Sequence, residues 1–179
     1  MQRVEIKYSY EDYLHLPDDG KRYQIIGGKL YRMPAPVPYH QRVSRKLERI
    51  LDEYVTEKGL GEVFDAPCDV VFSDMDIVQP DLFFISKERE YIIGEKNIRG
   101  APDLIVEILS ARSDYLDRKV KVELYEGYGV KEYWLVDPDR KEVEVLTLTR
   151  EGYKSMGVFN RSFYSPLLKL EVRLSIPIQ

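Results

Sequence analysis

The sequence predicts an α/β (α+β) fold, a mixed central sheet flanked by helices. Three observations lead there. Residues 39–57 carry apolar side chains at helical spacing; a run of strand-like segments follows; a second helical stretch, 113–128, then connects an all-apolar strand to further strands. A helix, a strand meander and a crossover helix in that order build a mixed sheet. The 179 residues suit one domain spanning 1–179, and a hydrophobic fraction of 44% is enough for a sizeable core.

Each element has its local reason. Residues 9–17 read as a short helix, with Ser9 as N-cap, Glu11 and Asp12 in the first turn, and Pro17 ending it. Residues 22–26 and 29–33 are β-like runs joined by Gly27-Gly28, a tight hairpin. The three prolines of MPAPVPY hold the next stretch extended. In helix 39–57, Val43, Leu47, Ile50, Leu51 and Tyr54 form an apolar stripe beside a basic one of Arg42, Arg45, Lys46 and Arg49; Gly59 and Gly61 follow it. Strands are expected over 61–65, 68–73, 81–85 and 103–109, the last buried on both faces. Asp74 and Asp76 suit a hairpin turn, and the charged stretch 86–100 reads as a surface loop. Helix 113–128 takes Ser113 as N-cap and ends near Gly127 and Gly129. Strands follow over 132–136, 142–149 and 153–158, the first two joined by Asp137-Pro138-Asp139, and the tail 167–174 alternates as a strand does.

Composition removes some classes. No stretch approaches the roughly 18 consecutive apolar residues of a membrane span. The N-terminus, MQRVEIKYSYEDY, has no apolar core of a signal peptide, so no membrane partner is expected. The single cysteine, Cys68, fits a reducing cytoplasm and reads as a core residue. A net charge of −4 and a pI near 5.4 speak against coating nucleic acid by bulk charge. They leave room for an acidic metal site with basic residues on one face.

Two segments open alike, Pro80-Asp81-Leu82 and Pro102-Asp103-Leu104. If their strands pair antiparallel, the start of one lies beside the end of the other, and Asp81 meets Glu107. Asp103 shares a face with Glu107 but stands roughly 13 Å along the strand, at about 3.3 Å per residue, too far to share one metal ion. Glu107 interrupts the apolar run LIVEILS. A buried carboxylate needs a partner, a proton or a metal. The plain alternative is a strand-end glutamate paired with a lysine. Asp117, Lys121 and Tyr125 lie on one face of the second helix, either as a solvated ladder or as a wall of the same pocket. Lys119 is the other lysine of that helix, about 200° away from Lys121. Two carboxylates holding a hard divalent cation and a lysine beside them are the parts phosphodiester hydrolysis needs.

These residues sit in blocks that resemble a known family. RYQIIGGKLYRMPAP followed by His40, VQPDLFFIS, GAPDLIVEILS and DRKVKVELYEGYGVKEYWLVDP together are similar to the Uma-two family of endonuclease-like proteins in the PD-(D/E)XK nuclease superfamily. The resemblance covers nearly the whole chain. It implies a restriction-endonuclease-like core and a metal-dependent endonuclease acting on DNA with Mg2+ or Mn2+. Asp81 and Glu107 would be the metal ligands. The superfamily lysine two residues after the acid is Leu109 here, and the family looks as if that lysine has moved to the following helix, which matches Lys121. The family's glutamate after Arg-Tyr is Gln24. Accessory roles then fall to Gln24, His40, Asp117 and Tyr125, and DNA-backbone contacts to Arg42, Arg45, Lys46 and Arg49, against a plain solvated face for that stripe. A homodimer is compatible with such an enzyme and with 14 tyrosines. The alternative is a catalytically inactive nuclease-fold module that binds nucleic acid or protein.

Overall fold

The computed structural model describes residues 6–173. Helix α1 (Tyr10–Leu14) starts on the expected cap: the Asp12 amide donates to Ser9 Oγ and the Ser9 amide to the Asp12 carboxylate. Strands β1 (Arg22–Ile26) and β2 (Lys29–Met33) form the expected hairpin. Gly27 and Gly28, at φ 59° and 78°, both take the left-handed conformation that such a two-residue turn demands. Helix α2 (Pro38–Lys58) has its proline in the first turn, where the missing N–H breaks no bond, and stops at Gly59 with φ 61°.

After α2 come β3 (Gly61–Asp65), β4 (Val70–Ser73), β5 (Asp76–Val78), β6 (Leu82–Ser86), β7 (Ile98–Arg99) and β8 (Leu104–Ile108). Helix α3 (Lys121–Gly127) leads to β9 (Glu132–Asp137), β10 (Glu142–Thr149), β11 (Gly152–Phe159), β12 (Ser162–Ser165) and β13 (Leu170–Arg173). The expected mixed sheet is accompanied by a smaller second sheet and a hairpin. The larger sheet runs β11-β10-β9-β8-β6-β3, and its one parallel pair, β8 with β9, is the pair bridged by α3. The smaller runs β2-β1-β5-β4-β7, and β12 pairs only with β13.

Alternation along the central strands separates two cores. Leu82, Phe84, Leu104, Val106, Trp134 and Val136 face α2, whose Val43, Leu47, Leu51 and Val55 cover them. Phe83, Ile85, Ile105, Tyr133 and Leu135 face Tyr125 of α3 and Val70 and Val78 of the smaller sheet. Each fully buried aliphatic side chain contributes about 1.5–3 kcal/mol, so both layers are needed to hold β6 and β8 in place. Among the described residues no helix is long and apolar enough to cross a membrane.

Three local expectations change. The stretch 86–100 is not an open loop: a 3₁₀ helix (Lys87–Ile92) and β7 pin it through buried Ile92 and Ile98, with the charged side chains turned outward. The second helix begins at Asp114, directly after Ser113 as expected, but Ser113 Oγ accepts the Ser110 amide at 3.2 Å while the Ser113 amide donates to Ser110 Oγ at 3.3 Å. That helix also contains a π turn (Leu116–Val120), in which the Lys121 amide reaches back to the Leu116 carbonyl. Of the tail strand 167–174, residues Leu170–Arg173 are β13, and residue 174 lies outside the described residues.

Candidate active site

Strands β6 and β8 pair antiparallel, with Leu82 opposite Val106 and Phe84 opposite Leu104. Asp81 immediately precedes β6 and Glu107 is next to last in β8, so the two acids meet at one end of the pair. Both line a cavity of about 410 Å³, with Gln24 of β1, His40 of α2 and Asp117 of the π turn.

Each acid is held by one oxygen. Asp81 Oδ2 accepts the Ile108 amide at 2.8 Å and His40 Nε2–H at 3.1 Å. Glu107 Oε1 accepts Lys121 Nζ and the Tyr125 hydroxyl, each at 2.8 Å. Among the described residues no hydrogen bond falls on Asp81 Oδ1 or Glu107 Oε2. Gln24 is 1% exposed; its amide N–H donates to the Gln79 carbonyl at 3.3 Å, and its buried Oε1 accepts no hydrogen bond. A buried amide oxygen without a donor is an acceptor awaiting one.

Lys121 is 0% exposed and lies behind Glu107, outside the cavity lining. Its ammonium is 2.8 Å from Glu107 and 3.0 Å from Asp117 Oδ1, which has this ion contact and no hydrogen bond. Burial alone would lower its pKa; the charges of Asp117 and Glu107 outweigh burial and raise it, so it stays an ammonium. Two acids thus share one cation. Burial pushes the Glu107 carboxyl up to about 8, opposed by Lys121 and assisted by Asp117 and Asp81. Burial and the surrounding negative charge thus both work against ionisation of Glu107. Burial would also lower His40, but its hydrogen bond to Asp81 and the Asp81 charge raise it. Tyr125, raised by burial and by Glu107, remains a hydroxyl donor.

The residues singled out in the sequence therefore divide. Asp81, Glu107, Gln24, His40 and Asp117 reach the cavity; Lys121 and Tyr125 stand behind it. In the basic stripe, Arg42 and Arg49 are exposed, and Arg49 lies 3.8 Å from Glu53. Lys46 is half-buried, and Arg45 lines a smaller cavity of about 170 Å³ on the other side of His40 and Asp81. Asp103, the twin of Asp81, is at the far end of β8; it accepts the Ser86 amide at 2.8 Å and pairs with Lys131 at 2.7 Å. Sequence reasoning missed Arg22 and Arg112, which also line the larger cavity. Arg22 stands two residues before Gln24 on one strand, and alternation alone places them on the same face. Arg112 lies in the turn after β8, where no periodicity marks it.

Could these residues hold a cation? No group of three or more His, Cys, Asp or Glu side chains is gathered for a metal among the described residues. The donor set is two carboxylates and one amide oxygen, all hard oxygen ligands of the kind Mg2+ takes while keeping several waters. The orphaned Gln24 Oε1 and the untied oxygens of Asp81 and Glu107 fit that requirement.

Comparison with known proteins agrees on the fold. No curated protein matches the chain. One solved structure, "a putative nuclease belonging to DUF820 from Anabaena variabilis ATCC 29413", superposes with a TM-score of 0.77. The match covers 94% of this chain and 96% of that one at 21% identity, a likeness of fold. A protein family described as "Putative restriction endonuclease" matches residues 10–178. The chain belongs to that family, Uma2.

Proposed function

We propose that this protein is a metal-dependent endonuclease that hydrolyses phosphodiester bonds in DNA, with Asp81 and Glu107 as ligands of Mg2+ or Mn2+. One observation carries the reading: each acid at the cavity has one oxygen anchored by the protein and one left untied. Family membership and the fold likeness support it. A divalent ion bound there would polarise a phosphate oxygen and lower the pKa of a bound water.

The chain's own residues do the rest. The Ile108 amide and His40 fix the rotamer of Asp81. Tyr125 and Lys121 fix Glu107, and the Lys121 ammonium favours its ionised form against burial. From behind the cavity Lys121 also offsets part of the charge of Asp117. Gln24 adds a neutral oxygen that brings no further charge repulsion among the acids. Leu109 and Met33 on the cavity wall exclude water from one side.

Nicking of supercoiled plasmid in Mg2+ or Mn2+ tests the reading. The parent protein is expected to nick, and Asp81→Ala and Glu107→Gln each to lose at least about a hundredfold, since a metal ligand's effect exceeds the loss of one oriented donor. Equal cleavage by all three would place the chemistry elsewhere. No cleavage, with no divalent binding at millimolar concentration, would leave a nuclease-fold binding module.

A further inference from the structure

We propose that Arg22 and Arg112 grip the phosphates of a single nucleic-acid strand that enters the cavity as an unpaired segment, a deepening that rests on the nuclease reading. Several other arginines are neutralised by acids. Arg118 pairs with Asp114, Asp137 and Glu144, Arg89 with Asp103, and Arg140 with Asp137 and Glu142. Arg22 and Arg112 line the cavity that holds both acids and make no ion pair among the described residues. An unpaired guanidinium in the lining of the cavity that holds both acids is available to bind an anion bidentately.

The second observation is the shape of the cavity. Its volume of about 410 Å³ is on the scale of one small ligand, and Glu107 in its lining is 3% exposed. The lining also includes the apolar strap Met33-Pro34-Ala35-Pro36-Val37, whose Met33 is the cross-strand partner of Arg22. An apolar strap beside a guanidinium group suits one nucleotide, its base on the strap and its phosphate on the arginines. A paired base is already stacked on its neighbours and has no face to offer the strap. The strand also has a way to continue. The smaller cavity of about 170 Å³ shares Arg22, Pro36, His40 and Asp81 with the larger, and Arg45 lines it together with Glu48 and Asp65. A backbone running through both would pass Asp81 with Arg22 between consecutive phosphates.

The test is fluorescence anisotropy of the full chain in EDTA with a labelled single-stranded oligodeoxynucleotide and with its blunt duplex, at several salt concentrations. The single strand is expected to bind tighter. Arg22→Gln and Arg112→Gln should each weaken it by about tenfold, as loss of a charged hydrogen bond does, and each reduce the salt slope by about 0.7. Arg150→Gln, at an exposed turn far from the cavity, should bind as the parent does. Arg112 is exposed, so its variant keeps the fold and gives a clean answer. Duplex binding as tight as single-strand binding, no binding by the parent, or an unchanged Arg112→Gln overturns the proposal. Strand affinity lost in Arg112→Gln without any plasmid nicking by the parent would keep this site and sink the catalytic reading. Nicking by the parent with unchanged strand affinity in Arg112→Gln would do the reverse.

Discussion

Lys121 is fully buried between Glu107 and Asp117, with Tyr125 donating to the same glutamate oxygen. Removing it strands two carboxylates in the core. Lys121→Met should therefore cost about 3–5 kcal/mol in urea unfolding, the range for breaking a buried pair. The double variant with Glu107→Gln should lose less than the sum of the single losses, because the partner's charge is gone as well. Asp103 allows a prediction with a pH sign. Burial alone would raise its pKa, but Lys131 and the Ser86 amide outweigh burial and lower it. A lowered carboxyl contributes stability above its unfolded pKa near 3.8 and loses it as pH falls through the folded value. Asp103→Asn should thus be less stable than the parent by about 1.5–3 kcal/mol at pH 7, with the gap closing as the pH drops below about 3.8. Thermal melts at both ends of that range check it; a gap that widened in acid would be the wrong sign. The two Pro-Asp-Leu triplets, identical in the sequence, are thus a cavity acid in Asp81 and a structural anchor in Asp103. Spacing along the strand was enough to separate them.

At the scale of elements, the π turn decides which side chains of the second helix meet Glu107. The turn holds one residue more than an α-helical turn would, and Asp117 lies inside it while Lys121 lies just after. Lys119, in the same turn, is exposed. Deleting Lys119 should convert the turn to regular α-helix and rotate Asp117 by about 100° away from Lys121. The expected outcome is a protein of unchanged helicity by circular dichroism that binds divalent ions more weakly, since the charge balance around Glu107 has changed. Unchanged ion affinity would mean that the turn only relieves packing. Helical periodicity predicts that Asp117, Lys121 and Tyr125 share a face, and they do. It carries no sign of the π turn, because Asp117, Lys121 and Tyr125 keep a four-residue spacing in the sequence whether or not the turn between them is widened. The reciprocal bonding of Ser110 and Ser113 was hidden as well, because spacing does not say which serine a hydroxyl will turn to.

Over the whole molecule, the central strands were legible because their burial is written in apolar runs. The meander of β6 and β8 and the crossover to β9 follow from those runs and from connection rules. The second sheet was not legible. Its strands β5 and β7 are three and two residues long, too short to show alternation, and β7 is hidden in a charged stretch anchored by Ile92 and Ile98. That sheet nevertheless brings Arg22 and Gln24 to the acids, which is why the acids were found from the sequence and the cavity around them was not. The Ile108 amide has a use beyond holding Asp81. It is a backbone proton in the most buried strand pair, donating straight to a carboxylate at the cavity. Any ion or anion that changes the charge on Asp81 must change the polarisation of that one N–H. Its NMR resonance is a built-in reporter of occupancy, readable on the uncleaved, unlabelled-substrate-free protein before any reaction is run.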